Sequence, residues 1–140
     1  MHILPKNFLH VATVATFVLA FFFLPAVVAA DDLGQSVGSV TVPDTLKKED
    51  VQEAIVASLT GRAWEVKEKT DERVVGYLKH RSNEATLTLV YTDKKVDLFC
   101  VGWSINSKTG ERKKPELPNG WIGNIKSDLT KQLNRLTAKK

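Results

Sequence analysis

Cysteine occurs once in the 140 residues, at Cys100, and that scarcity closes several routes at the outset. A lone thiol forms no internal disulfide and supplies no cysteine-rich zinc site. Histidine is nearly as rare, because His2 and His10 stand at the very start and His80 alone falls in the body of the chain. A zinc centre would therefore need carboxylates to complete it. Glu65, Glu68, Asp71 and Glu72 stand close together but are interspersed with lysines, which reads as a solvated face. Glycine-rich phosphate cradles, His-x-x-His spacings and serine-nucleophile elbows are missing too. No metal, no cofactor and no catalytic residue is expected, and the fold must stand on its apolar core.

A marked excess of one charge is also lacking. With the first thirty residues and their single cation Lys6 set aside, 19 basic residues remain against 16 acidic ones, a net charge of +3. Nucleic-acid modules concentrate positive charge on one face, whereas Lys67, Glu68, Lys69, Asp71, Glu72 and Arg73 mix the signs. Nucleic acid is excluded as the expected partner. No internal repeat or low-complexity tract occurs.

Apart from Lys6, charge is absent from residues 1–30. Val11 to Leu24 is mostly apolar and includes Phe21, Phe22 and Phe23, Pro25 breaks the run, and Val28-Ala29-Ala30 precedes Asp31-Asp32. A positive start, an apolar stretch and a small-residue tail are the parts of a secretory signal, cut here between Ala30 and Asp31. The alternative is an uncleaved anchor, since the 20 uncharged residues from Val11 to Ala30 just span a bilayer. No cysteine near the cut is available for lipidation. The expected location is the periplasm, with secretion or tethering by the first segment as alternatives. The 110 residues that follow suffice for one core, burying roughly 60–65% of the surface of the unfolded chain.

Within that domain, residues 31–43 read as a loose segment, with Val37 to Val42 alternating as an edge strand before Pro43. Asp44 or Thr45 is the expected helix cap, Val51, Ala54, Ile55 and Leu59 fall at helical spacing, and Gly61 is the expected left-handed stop. Trp64 to Lys67 alternates as a short strand. Three more strands follow, Arg73 to Arg81, Glu84 to Tyr91 and Lys95 to Trp103, with Ser82-Asn83 and Asp93-Lys94 as turns. Residues 104–118 read as a long polar connection. Ile122, Ile125, Leu129, Leu133 and Leu136 then mark an amphipathic helix from about Asn119. The predicted class is α+β: one domain over residues 44–138, with a four-stranded antiparallel meander, five-stranded if the edge strand joins, and a helix at each end packed on one face.

Val51-x-x-Ala54-Ile55, Gly61-Arg62-x-Trp64-x-Val66 and Trp121-Ile122-x-Asn124-Ile125-x-x-Asp128-Leu129, with Ser104-Ile105-Asn106 between them, give residues 51–133 a resemblance to a family of small bacterial envelope proteins. Many of these are described as lipoproteins and have no established activity. The resemblance implies a shared fold and an envelope address, and it brings no catalytic residue. This chain departs from the lipoprotein members in having no cysteine to be lipidated.

Three candidate sites emerge. The first is the sheet face opposite the helices, where Tyr77, Val90, Phe99, Val101 and Trp103 would share one side; either the N-terminal segment, the 104–118 loop or a helix covers them, or they are exposed apolar groups of the kind that mark binding surfaces. Its expected occupants are another envelope protein, a second copy of the chain or an apolar ligand. The second is the basic run Lys108, Arg112, Lys113 and Lys114, a candidate for weak contact with an anionic membrane surface. The third is Cys100 with His80, the one pairing that suggests a thiol-dependent hydrolase, although a lone cysteine is more often a small buried hydrophobe. Trp64 and Trp121 read as packing residues. The leading expectation is a non-enzymatic exported binding module. The thiol hydrolase and a membrane-tethered structural component are the alternatives.

Overall fold

The computed structural model describes residues 33–140, so the export segment and its cut between Ala30 and Asp31 lie outside the described residues. The elements are β1 (Gln35–Thr41), α1 (Lys48–Thr60), β2 (Glu65–Lys69), β3 (Arg73–His80), β4 (Asn83–Tyr91), β5 (Lys95–Ile105), β6 (Arg112–Pro115) and α2 (Asn119–Ala138). The class is α+β, with one antiparallel sheet in the order β1-β5-β4-β3-β2 and β6 also paired to β5.

The sheet has six strands among the described residues, where four or five were expected. The additional strand, β6, is Arg112-Lys113-Lys114-Pro115, exposed throughout, and it has no apolar alternation to betray it. Its pairing is made through backbone contacts opposite Trp103, Ser104 and Ile105. The supposed polar connection therefore contains the end of β5 and a whole strand. β1 pairs farther back along the same edge of β5, from Lys95 to Cys100, so β1 and β6 lie end to end beside one long strand.

Alternation decides which side of each strand is dry. Val74, Ala85, Leu87, Leu89, Tyr91, Val96, Leu98 and Cys100 are buried, and they form one cluster with Val51, Ala54, Ile55 and Leu59 of α1 and Ile122, Ile125, Leu129 and Leu133 of α2. Fully burying an aliphatic side chain contributes about 1.5–3 kcal/mol, so this cluster is the main stabilising feature. Gly102 lets the chain cross over β5. A Cβ there would collide with the Glu116 carbonyl oxygen and stand 2.9 Å from Pro118 Cδ, and the Glu116 N–H donates to the Gly102 carbonyl at 3.0 Å as the chain passes toward α2.

The element ends differ from expectation at three places. Asp44 and Thr45 do not cap α1; they sit in a turn where the Leu46 N–H donates to the Pro43 carbonyl at 3.1 Å, which brings Leu46 into the core. The helix starts at Lys48, and the Asp50 carboxylate accepts the Lys47 N–H at 2.9 Å. That bond, with help from Lys140, holds the Asp50 carboxyl below the usual carboxylate range. At the other end Gly61 stays right-handed, with φ −64°, and Ala63 takes the left-handed conformation at φ 63°. The Trp64 N–H donates to the Leu59 carbonyl at 3.0 Å and the Ala63 N–H to the Thr60 carbonyl at 3.1 Å, the two bonds of a Schellman turn. The β3–β4 turn is Arg81-Ser82, one residue earlier than expected, with Arg81 at φ 55°.

Candidate interaction face and the tryptophan cluster

Side chains of opposite parity to the core positions line the other side of the sheet. Register brings them into rows: Tyr77 opposite Thr86 and Thr86 opposite Val101; Val75 opposite Thr88 and Thr88 opposite Phe99; Glu84 opposite Trp103. Directly opposed residues have Cβ atoms about 4.5–5.5 Å apart, so these rows form a continuous patch. Val75, Tyr77, Val90, Phe99, Val101 and Trp103 all lie outside the core cluster. Val101, on the β5 side of the patch, is 39% exposed, whereas Thr88 of the middle strand β4 is shielded to 5% within the same rows.

Charged groups surround this patch and are mostly paired with one another. Arg112 donates to Glu84 Oε1 from Nε at 2.9 Å and from Nη2 at 2.6 Å, and its guanidinium lies 5.1 Å over the Trp103 ring. Lys67 Nζ stands 5.4 Å over the Tyr77 ring. Arg73 pairs with Glu68 at 3.1 Å and Lys95 with Asp97 at 3.2 Å. Burial first, and the charge of Glu84 next, push the Tyr77 hydroxyl pKa up, so it remains a neutral donor.

By sequence Arg112 belongs to one basic run with Lys108, Lys113 and Lys114. The structure separates them. Arg112 is held by Glu84, whose side chain is only 10% exposed, while Lys108 sits in a turn where the Asn106 side chain accepts its N–H at 2.9 Å. Lys113 and Lys114 are exposed on β6.

Cys100 is buried at 1% exposure, and burial pushes its thiol up to about 11. At neutral pH it is therefore the protonated thiol, the poorer nucleophile. His80 is exposed at the end of β3 and pairs with Asn83, whereas Cys100 pairs with Leu87. Asn83 and Leu87 are separated by about 13 Å along the strand at 3.3 Å per residue, so thiol and imidazole do not meet. Among the described residues no group of His, Cys, Asp or Glu is placed to hold a metal ion, and no helix is long and apolar enough to cross a membrane.

A second cluster was not anticipated as a unit. Trp64 and Trp121 meet edge to face, with ring centroids 6.1 Å apart and planes at 85°. Beside them Arg62 donates to Asp128 from Nε at 2.6 Å and from Nη2 at 3.2 Å. The ion pair holds the Asp128 carboxyl below its usual range. Two segments far apart in the chain are thus joined by an ion pair and an aromatic contact, a juxtaposition that helical and strand periodicity do not encode. A scan against family models, a search of curated proteins and a search of solved structures each find no match.

Proposed function

We propose that the chain is an exported envelope protein that acts without catalysis, docking a partner protein on the sheet face that carries Tyr77, Val90, Phe99, Val101 and Trp103. In this reading both helices serve one face of the sheet and leave the other for the partner. The observation that carries it is the row of apolar and aromatic residues outside the core cluster, with Val101 39% exposed on its β5 side. An apolar centre with tyrosine and tryptophan, rimmed by polar groups, matches the anatomy of protein interfaces. Rim charges of both signs, as in Glu84–Arg112, Glu68–Arg73 and Asp97–Lys95, favour a protein over a nucleic acid or a uniformly anionic surface. The periplasmic address is supported by the Lys6, apolar and Ala30–Asp31 pattern and by the resemblance to small envelope proteins.

The test is site-specific photocrosslinking in intact cells, with the photoreactive residue at Val101 or, as control, at the exposed Asn134 of α2. A discrete adduct from position 101, absent from 134 and abolished by Phe99→Asp in a folded protein, is the expected outcome. No adduct from 101, or equal adducts from both positions, overturns the proposal. Light scattering identifies the partner as a second copy if the wild-type protein is a dimer and Phe99→Asp a folded monomer.

A further inference from the structure

The two indoles also bound a concavity. A cleft of about 290 Å³ opens between the end of α1, the end of β3 and the first turns of α2, lined by Arg62, Trp64, Leu78, His80, Trp121 and Asn124. Its size stands at the lower limit of the roughly 300–1,000 Å³ typical of small-molecule pockets, which suits a ligand about as large as one substituted ring. Trp64 is 3% exposed, while Trp121 and Leu78 are only half-buried, so the cleft has apolar surface on walls from three different elements.

The polar groups are few and of one kind of preference. Arg62 carries a positive charge that Asp128 balances from 2.6 Å, His80 and Asn124 offer hydrogen bonds, and none of the described lining residues is itself a carboxylate. Asp128 engages Nε and Nη2 of Arg62, which leaves Nη1 without a hydrogen-bond partner among the described residues. The ion pair also fixes the guanidinium in place, so less side-chain freedom is lost when Nη1 takes an acceptor. Two indoles set at 85° form a corner in which the half-buried Trp121 offers the surface for a flat ring to stack on and the 3% exposed Trp64 offers only its rim.

We propose that this cleft binds a small aromatic carboxylate, with the ring in the corner between Trp64 and Trp121 and the carboxylate on Arg62 Nη1. Because Asp128 already balances the Arg62 charge, the carboxylate is selected by the charge-assisted hydrogen bond at Nη1 rather than by excess positive charge, and the size of the cleft selects a single ring. Such a site is separate from the sheet face: Trp103 belongs to the face, Trp64 and Trp121 to the cleft.

The three tryptophans provide the assay, because each indole N–H gives its own signal in a proton–nitrogen correlation spectrum. The full chain is titrated with phenylacetate and, separately, with uncharged phenylacetamide. Phenylacetate is expected to move the Trp64 and Trp121 signals saturably, with a Kd of about 1 mM for a ligand this small, and to leave Trp103 unmoved. Phenylacetamide is expected to bind at least about tenfold more weakly, consistent with loss of a charge-assisted hydrogen bond. Arg62→Met, folded by circular dichroism, is expected to erase that preference, and Trp121→Leu to abolish binding of both probes. The proposal is overturned if neither probe moves Trp64 or Trp121, if all three indoles move alike, if the amide binds as well as the acid, or if binding survives Trp121→Leu.

Discussion

The turn that leads from α1 into β2 holds Arg62 and Trp64 in place, and its strain sits on Ala63 rather than on the nearby glycine. A left-handed conformation costs a residue with a Cβ roughly 1–2 kcal/mol. Glycine escapes that cost but loses about 0.5–1 kcal/mol more conformational freedom on folding. Ala63→Gly should therefore stabilise the protein by about 0.5–1 kcal/mol, which for a domain of this size is a rise of roughly 2–6 °C in Tm. Gly61→Ala supplies the contrast. With φ −64° and ψ −17° an alanine is at ease there, although its Cβ, 3.0 Å from the Ala57 carbonyl oxygen, needs a small adjustment. Its effect should stay within about 0.5 kcal/mol. Urea titrations of both variants measure the two shifts, with an unchanged slope showing that the comparison is between like states. If Gly61→Ala costs more than about 1 kcal/mol while Ala63→Gly brings no gain, the glycine is the left-handed residue and the reasoning fails.

Gly102→Ala should destabilise by about 1–3 kcal/mol, measured by the same titration, because its Cβ would press on backbone at Glu116 and on Pro118; a neutral outcome would mean that the crossing segment lies elsewhere. Cys100 should resist thiol-modifying reagents in the native protein and react on unfolding, and since its pKa is raised to about 11, stability should fall as pH climbs from the unfolded value of about 8.5 toward 11. Rapid native labelling at neutral pH would refute the burial. For Asp128 the sign is reversed: its lowered pKa gives stability that is present above about pH 4 and lost on acidification. Asp128→Asn should remove that pH dependence at a cost under about 1 kcal/mol, because the pair with Arg62 is part-exposed.

What was legible in the sequence is what periodicity writes. The threonines and leucines of β4 alternate so regularly that both the strand and its faces were readable, and Ile122, Ile125, Leu129 and Leu133 announced α2 and its buried stripe. β6 was illegible because Arg112-Lys113-Lys114-Pro115 is recruited by the free edge of β5 and has no inward side chains of its own. Ala63 is illegible for a related reason: Gly61 is the better left-handed residue, yet the two Schellman bonds close two residues later. Of the candidate sites, Tyr77, Val90, Phe99, Val101 and Trp103 share the parity their alternation implies. The Arg62–Asp128 and Trp64–Trp121 contacts join segments separated by most of the domain, and no local pattern carries such information.

Every strand except β1 finds a partner close by in the chain, whereas β1 must wait for residues more than fifty positions later. Closing so long a loop carries an entropy cost that the hairpins avoid. Assembly should therefore run from the β3–β4–β5 meander outward, with β1 the last strand to dock. Until it arrives, the first half of β5 presents unpaired backbone beside Val96 and Leu98, an edge equally open to the β1 of another molecule. At high concentration the refolding chain is thus exposed to strand exchange between copies, and dilution should suppress it.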